Sequence, residues 1–397
     1  MDDSDSLFDD LPDASANTAP PYSHRPARGR TTPRKIGEKK SEENETKFLT
    51  RMNLTAPFAA AIPSSRDPGR LLPQTVAHRG FRAAWPENSL DAMRAAVDAG
   101  AHAIETDVHL TRDGVVVMSH DATLTRCFGV RKKIASCDWE YIETLRSIRT
   151  PHLGMPRLRD VLELLNEERM QKTWCVLDIK VSPSLHFVTR DCDFFVADER
   201  QMDDDAEQLL SSMKHVLDTV KGPIPWEKRI LLGCWNATYI TAARRILPSY
   251  PLSHISFSRS YSRHFGAALP NLGYSLHFSA LSGVLGRRFL QQLRSGPVLT
   301  WTVNQDNWMR WLLDRRVLDA VITDDPRQFR AVCRVWEDEL DGRRERPRVG
   351  VVAAARRGCG DGLEALKFAL LWVVLHVVTR FSRRLDTLPD VMKRKSR

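Results

Sequence analysis

A short stretch that begins at Val76, VAHRGFRAAWPENS, places an imidazole, two guanidinium groups and a carboxylate directly after an apolar run. The polar side chains crowded into this stretch are those of His78, Arg79, Arg82, Glu87 and Asn88. Arginine holds carboxylate or phosphate oxygens with two parallel hydrogen bonds. The stretch therefore indicates that an anionic group is bound at the end of this apolar run.

Carboxylates occur in two further apolar runs. In AIETDVHL, Glu105 and Asp107 lie two residues apart, a spacing that puts both side chains on one face of a strand. In VLDIK, Asp178 and Lys180 share a face in the same way. Three neighbouring carboxylates repel one another, and a bound divalent cation removes that conflict. Because these ligands are all oxygens, we expect Mg²⁺ or Ca²⁺ rather than zinc at Glu105, Asp107 and Asp178.

A second histidine, His120, ends the apolar run VVVMSHD. Histidine gains and loses a proton near neutral pH, so His78 and His120 could act as an acid and base pair. Arg79 and Lys180 could then hold phosphate oxygens, although Lys180 could equally form a buried ion pair with Asp178. Most histidines at strand ends only pack or form a hydrogen bond, and that interpretation is kept for His102, His109, His152, His254 and His277.

Two later motifs leave their roles open. In WTVN, Trp301 and Asn304 either line a pocket or pack in the core. In ITDDP, Asp324 and Asp325 are better explained as a helix N-cap and a loop residue than as metal ligands.

The elements that must position these residues alternate between strand-like and helix-like stretches from Gln74 to Arg330. The apolar runs are QTVAHRG, AIETDVHLT, VVVMSHD, TWCVLDIK, RILLGCW, SHISFSR, GYSLHFS, PVLTWTVN and DAVITDDP. This alternation is typical of parallel βα units, and residues 74–330 approach the ~250 residues of a (β/α)8 TIM barrel. In a barrel, the C-terminal ends of the strands form the active site.

Nine runs must be reduced to eight barrel strands. The TRDG sequence before VVVMSHD predicts a tight turn between antiparallel strands, which neighbouring parallel strands cannot use. VVVMSHD is therefore predicted to be a hairpin arm. A doubly wound open sheet is the alternative, but it would call for a glycine-rich phosphate loop after the first strand, and no GxGxxG follows it.

The two ends of the chain differ from the predicted barrel, residues 73–335. Residues 1–72 are polar and rich in Ser and Pro, so we predict that they are disordered. A basic linker, 336–362, leads to a tail, 363–397. Between Arg343 and Arg397 there are 14 Lys and Arg and 5 Asp and Glu, a surplus that equals the net charge of +9 of the whole chain. A neutral body with a basic tail favours an anionic membrane surface over nucleic acid.

The tail contains an apolar stretch, Phe368–Val378, interrupted only by His376. It is shorter than the ~20 residues that span a bilayer, so a segment lying in the membrane interface is favoured. A spanning anchor and a helix packed on the barrel are the alternatives. No signal-peptide pattern begins the chain, so the barrel is expected to face the cytosol, at the endoplasmic reticulum, a mitochondrion or a lipid droplet.

Six segments in this order, HRGFRAAWPENS, AIETDVHLTRDG, VVVMSHD, LDIK, WTVN and ITDDP, resemble the glycerophosphodiester phosphodiesterase family. The resemblance covers about residues 74–330. It implies a (β/α)8 barrel, a divalent metal and two catalytic histidines. Carried over by position, the metal ligands are Glu105, Asp107 and Asp178, the acid and base are His78 and His120, and the phosphate site is lined by Arg79, Glu87 and Lys180. Asp178 stands where the family commonly has Glu.

Within this family, the motifs and the hydrophobic tail are most similar to the fungal phosphatidylglycerol phospholipases C. That resemblance implies a phospholipid substrate, phosphatidylglycerol, cleaved to diacylglycerol and glycerol phosphate, with Trp301 among the substrate-binding residues. One alternative is a glycerophosphodiesterase that acts on deacylated phospholipids. Others are a catalytically inactive barrel that binds lipids, and a lysophospholipase D or sphingomyelin-cleaving relative. Nothing in the sequence indicates a nucleic acid or a protein partner.

Overall fold

The computed structural model describes residues 56–179, 205–266, 268–293 and 296–346, together with the backbone of a two-stranded hairpin, His186–Thr189 and Cys192–Phe195. Three of the predictions therefore lie outside the described residues. They concern the side chain of Lys180, the first 55 residues of the chain, and the tail with most of its linker, 347–397.

Eight parallel strands close into a barrel, as the alternation of apolar runs predicts. Each strand pairs with the next one along the chain, and the last pairs with the first through Ile322 and Val76. The strands are β1 (Gln74–His78), β2 (Ala103–Leu110), β3 (Trp174–Ile179), β4 (Ile230–Cys234), β5 (Leu252–Ser256), β6 (Gly273–His277), β7 (Val298–Trp301) and β8 (Ala320–Thr323).

On the outside of the barrel, a helix follows each strand. These helices are α1 (Leu90–Asp98), α2 (Leu158–Asn166), α3 (Ala206–Thr219), α4 (Ala237–Ile246), α5 (Arg259–Gly266), α6 (Gly283–Gln292), α7 (Asp306–Arg315) and α8 (Pro326–Leu340). Shorter helices are Thr125–Phe128, Trp139–Ile142 and Phe278–Leu281, with 3-10 turns at Pro57–Ala59, Ile134–Ser136, Glu168–Met170 and Trp226–Lys228. Within the described parts of the chain, no helix has the length and apolar character needed to cross a bilayer.

The local sequence explains where several helices begin and which face they bury. Leu158, Val161, Leu162 and Leu165 are buried along α2, at the three- and four-residue spacing of one helix face. The Ser89 side chain accepts a hydrogen bond at the start of α1. The Asp325 side chain accepts one from the Gln328 amide, at 3.0 Å, at the start of α8, so the predicted N-cap in ITDDP is present.

The hairpin arm occurs as predicted, at Val116–Met118, antiparallel to the end of β2. Gly114 has a φ of 83° in the tight turn, a conformation that glycine adopts without a steric cost. The arm brings the chain back beside β2, where the Ser119 amide donates a hydrogen bond to the Asp107 carbonyl, at 3.0 Å. This return places the following residue, His120, at the level of the β2 carboxylates.

The core has two layers. One fills the barrel interior, and the other lies between the strands and the surrounding helices. The interior layer contains Val76, Ala103, Trp174, Val176, Leu231, Leu299, Ala320 and Ile322.

Residues 56–72 differ from the prediction of disorder, because they cover the end of the barrel at which the strands begin. Ala56 and Ala59 are buried against the interior layer. The side-chain Nε2 of Gln74 donates hydrogen bonds to the Phe58 and Ala60 carbonyls, both at 2.7 Å. Ile62–Pro63 and Leu71–Leu72 form a short antiparallel pair. The few apolar residues of this polar segment are enough to order it because the barrel supplies their partners.

The predicted boundary at residue 335 is also wrong. The last helix, α8, continues to Leu340, and both Trp336 and Glu337 are buried. Glu337 accepts hydrogen bonds from Ser64 and Arg70, so the end of α8 is held to the N-terminal segment. Residues 336–340 are therefore part of the barrel rather than of a linker.

Candidate active site

Three carboxylates meet at the end of the barrel where the strands finish, which we call the mouth. Glu105 and Asp107 lie on one face of β2, and Asp107 is the register partner of Asp178 on β3. All three are buried, and one oxygen from each lies within 4.8 Å of the other two. This carboxylate triad offers only oxygen atoms at a spacing that one ion can bridge, so its residues fit Mg²⁺ or Ca²⁺.

His78, the last residue of β1, borders the carboxylate triad. Its Nε2 lies 3.9 Å from a Glu105 oxygen, and its Nδ1 lies 2.6 Å from Asp324 Oδ1. A carboxylate at Nδ1 fixes the ring orientation and the tautomer. Burial, together with Arg79, lowers the pKa of His78 even though Asp324 opposes the change. Burial therefore favours the neutral form of the ring, whose Nε2 is directed toward Glu105 of the triad.

His120 has the same support on the hairpin arm. Its Nδ1 lies 2.8 Å from Asp121 Oδ1, and Asp121 Oδ2 accepts a hydrogen bond from Arg126 Nε, at 2.7 Å. Both histidines are thus oriented by an aspartate through the same ring nitrogen. The structure places His78 beside the triad, and it places His120 directly after the hairpin arm that pairs with β2.

Glu87 is surrounded by guanidinium groups. It accepts hydrogen bonds from Arg79 at 3.0 Å, from Arg82 at 3.1 Å and from Arg126 at 2.7 Å. Burial would raise the pKa of Glu87, but Arg79 and the other two arginines outweigh it and hold that pKa well below its ordinary value. Glu87 therefore holds three guanidinium groups together, and its role in lining a phosphate site stays a prediction.

Arg79 lies between Glu87 and the triad. It is buried, its amide donates a hydrogen bond to Glu105 at 3.1 Å, and its Nε lies 3.4 Å from Asp107. Its backbone has a φ of 56°, in the left-handed region that side chains rarely adopt. This conformation turns the chain directly after β1 so that both the amide and the guanidinium face the carboxylates.

Asp324 has a role that the sequence did not reveal. Besides holding His78, it accepts hydrogen bonds from Arg82 at 3.2 Å and from Asn304 at 2.8 Å. Burial would raise the pKa of Asp324, but His78 and Arg82 hold it below its ordinary value. No pattern near Asp324 in the sequence indicates that it orients His78, because His78 is distant in the chain.

Aromatic rings occupy the other side of the mouth, and we call this set the aromatic arc: Trp235, His277, Phe278, Trp301 and Trp308. The ring centroids of Trp235 and Trp301 are 5.6 Å apart, and those of Trp301 and His277 are 5.1 Å apart. His277 lies 4.5 Å from Phe278, which lies 5.0 Å from Trp308. The arc touches the triad because Trp235 Nε1 donates a hydrogen bond to Asp178, at 2.7 Å.

Trp301 combines the two roles that its motif left open. It packs on the interior layer of the barrel, and Nε1 donates a hydrogen bond to the Ser275 carbonyl, at 3.0 Å. It is only partly buried. Burial lowers the pKa of the neighbouring His277 to about 4, so this histidine is a neutral ring of the arc. No sequence pattern indicates a role for Trp235, which is missing from the predicted site.

The comparison with protein families matches residues 78–328 to the glycerophosphoryl diester phosphodiesterase family. An uncharacterized protein of Bacillus subtilis, YqiK, is 25% identical over 65% of this chain and 97% of its own length. A probable glycerophosphodiester phosphodiesterase 2 of Mycobacterium tuberculosis is 33% identical, over 33% of this chain and 48% of its own length.

Two solved structures share the fold. One is a putative glycerophosphoryl diester phosphodiesterase from Silicibacter pomeroyi, with 19% identity and a TM-score of 0.57 over 71% of this chain and 98% of that one. The other is a phosphodiesterase from Oleispira antarctica in complex with the product sn-glycerol-3-phosphate, with 20% identity and a TM-score of 0.52 over 66% of this chain and 97% of that one.

Proposed function

The chain belongs to the glycerophosphoryl diester phosphodiesterase family and is a phosphoric diester hydrolase, and on this basis we propose that it cleaves glycerophosphodiesters to glycerol phosphate and an alcohol. The observation that supports the proposal is the carboxylate triad with His78 beside it, together with the orientation of both His78 and His120 by an aspartate. The Oleispira antarctica phosphodiesterase, which has the same fold, holds sn-glycerol-3-phosphate as its product.

Glu105, Asp107 and Asp178 would hold the cation, which when bound supplies a Lewis acid for negative charge on a phosphate oxygen. Arg79 adds a fixed positive charge beside the triad. One of His78 and His120 takes the proton of the attacking hydroxyl, and the other gives a proton to the leaving alkoxide. The attacking oxygen forms a bond to phosphorus as the bond from phosphorus to the leaving alcohol breaks.

The attacking group can be a hydroxyl of the substrate itself. A glycerol moiety has a hydroxyl next to the phosphodiester, and internal attack avoids much of the entropy cost of recruiting water. The product of this step is a cyclic phosphate, which water then opens to glycerol phosphate, with the two histidines exchanging roles.

A second candidate is phosphatidylglycerol, cleaved to diacylglycerol and glycerol phosphate. The aromatic arc favours a substrate that has apolar chains, because it forms an apolar wall next to the triad. The membrane-associating tail, a cytosol-facing barrel and the location at the endoplasmic reticulum, a mitochondrion or a lipid droplet stay predictions.

The test is to incubate the purified full chain with glycerophosphoglycerol, and separately with phosphatidylglycerol, after chelation and after addition of Mg²⁺ or Ca²⁺. Phosphorus NMR identifies the phosphorylated product. We expect glycerol phosphate from glycerophosphoglycerol, only in the presence of metal. No turnover of either substrate with either metal would favour a barrel that only binds lipids, and phosphate retained on the lipid would indicate a phospholipase D.

A further inference from the structure

Two large apolar side chains are exposed together at the mouth. Val284 and Leu285, in the first turn of α6, expose 61% and 58% of their surface. Helix α6 follows β6, so its first turn lies at the C-terminal end of the barrel strands, where the carboxylate triad also lies. Single exposed apolar residues are common, but two neighbours at the entrance to a site form a surface that water solvates poorly.

A short helix links the aromatic arc to this pair along the chain. The short helix Phe278–Leu281 joins β6 to α6, and Phe278 contacts both His277 and Trp308. Helix α6 packs closely on that short helix, since a Cβ added at Gly286 would lie 2.3 Å from the Leu281 backbone. Ring contacts therefore run from Trp235, beside the triad, to Phe278 in the short helix that precedes α6.

Positive charge adjoins the apolar pair. Arg287 and Arg288 follow within one helical turn, and both are exposed. Apolar side chains flanked by arginine are typical of segments that insert shallowly into an anionic lipid surface. The charge thus identifies a partner of one chemistry, a membrane or micelle surface with anionic headgroups.

We propose that the first turn of α6 is an interfacial docking surface that seats the mouth on an anionic lipid surface, and that the aromatic arc contacts the apolar chains of the phosphodiester drawn from it. The docking surface consists of Val284, Leu285, Arg287 and Arg288. The proposal rests on the proposed function and adds acylated phosphodiesters in a lipid surface to the soluble substrates named there. A lipid surface fits the first turn of α6 because a lipid at this position can enter the mouth directly. A protein bound at the same position would block access to the mouth.

The experiment compares the full chain with a Val284→Asp, Leu285→Asp variant on two substrates. One is phosphatidylglycerol in vesicles of phosphatidylcholine, and the other is soluble glycerophosphoglycerol. We expect turnover in vesicles to fall by about tenfold or more, because two charges replace the inserting side chains. Turnover of the soluble substrate should stay within about twofold of the unchanged chain.

Leu71→Asp is the matched control. Leu71 is exposed to a similar extent, 56%, but lies in the segment that covers the opposite end of the barrel. This variant should keep its turnover of vesicle substrate. An Arg287→Gln, Arg288→Gln variant should bind vesicles more weakly than the unchanged chain chiefly at low salt. The two arginines attract anionic headgroups electrostatically, and salt screens that attraction.

Each outcome separates the inference from the proposed function. No turnover of the soluble substrate by the unchanged chain contradicts the proposed function. Turnover of the soluble substrate but not of vesicles contradicts the inference alone. Equal vesicle rates for the unchanged chain and the double aspartate variant also contradict it, and so does an equal loss in the Leu71→Asp control.

Discussion

The two sides of the barrel mouth are built in different ways. The polar side lies at the ends of β8, β1, β2 and β3 and consists of hydrogen-bonded polar and charged groups. His78 is hydrogen-bonded to Asp324, and three arginines donate hydrogen bonds to Glu87. The aromatic side, at the ends of β4, β6 and β7, consists of rings in edge or tilted contact, from Trp235 to Trp308. The same fold thus presents fixed charge on one side of a substrate and apolar surface on the other.

This contrast indicates which side should control which step. Hydrogen-bonded charges are already oriented before a substrate arrives, which is the condition for stabilising charge that develops during a reaction. Burial of apolar surface against the rings is non-directional and therefore accepts apolar groups of various shapes. We therefore expect changes on the polar side to reduce kcat, and changes on the aromatic side to alter metal affinity or substrate choice.

The largest effect is expected from removing an acid or base on the polar side. His120→Ala should lower kcat by about 10³-fold, since positioned proton transfer contributes about 10²–10⁴-fold. The measurement is steady-state turnover of a soluble glycerophosphodiester at saturating metal, with circular dichroism to check the fold. His109→Ala is the comparison variant, because His109 is also a buried histidine and lies in the strand that pairs with the hairpin arm. It shows how much replacing a buried histidine there affects folding alone. Near-normal turnover by His120→Ala would remove this residue from the mechanism.

The next largest effect should come from Asp324. Asp324→Asn removes the charge that orients His78, so we expect kcat to fall by about 10²-fold while KM changes little. The matched control is Asp325→Ala, one residue away, which removes the α8 cap. That control should destabilise the fold by about 1 kcal/mol and keep kcat. Equal losses of kcat in both variants would show that the loop, rather than the carboxylate, matters.

These two neighbours also show what a sequence can predict. The sequence predicts that ITDDP contains a helix N-cap, and the cap is Asp325, whose partner Gln328 is three residues away. The partner of Asp324 is His78, 246 residues away, and no local pattern encodes that contact. The nine apolar runs and the hairpin arm are local signals as well, which is why the barrel could be predicted. The contacts of Trp235 with Asp178, of Arg126 with Glu87 and of Ser64 with Glu337 join residues that are distant in the chain, so no local pattern predicts them.

A smaller effect, on metal affinity, should distinguish Trp235 from Trp308 in the aromatic arc. Trp235→Phe removes the hydrogen bond to Asp178, and loss of such support for a metal ligand typically weakens metal binding by about tenfold or more. The metal dissociation constant should therefore rise, while kcat at saturating metal is unchanged. Trp308→Phe keeps ring contacts and touches no carboxylate of the triad, so its metal affinity should stay normal. Identical metal titrations for the two variants would contradict the distinction.

The smallest effect is expected on stability at acidic pH. The pKa values of Glu87 and Asp324 lie below their ordinary values in the folded chain. The unfolded chain therefore binds more protons, and the stability that these groups contribute is present above a pH of about 4 and lost below it. The free energy of unfolding, from urea titrations, should fall by about 1 kcal/mol or more as the pH is lowered through that range. In Glu87→Gln, the free energy of unfolding should depend less steeply on pH. An unchanged pH dependence in this variant would show that Glu87 does not contribute to it.

The central claim is that two aspartate-oriented histidines border a cation held by three carboxylates. Anomalous diffraction from a crystal soaked with Mn²⁺ and glycerol phosphate tests it most directly. We predict one anomalous peak in contact with Glu105, Asp107 and Asp178, with the phosphate within hydrogen-bonding reach of both His78 and His120. A peak elsewhere, or a phosphate bound away from either histidine, would contradict the account.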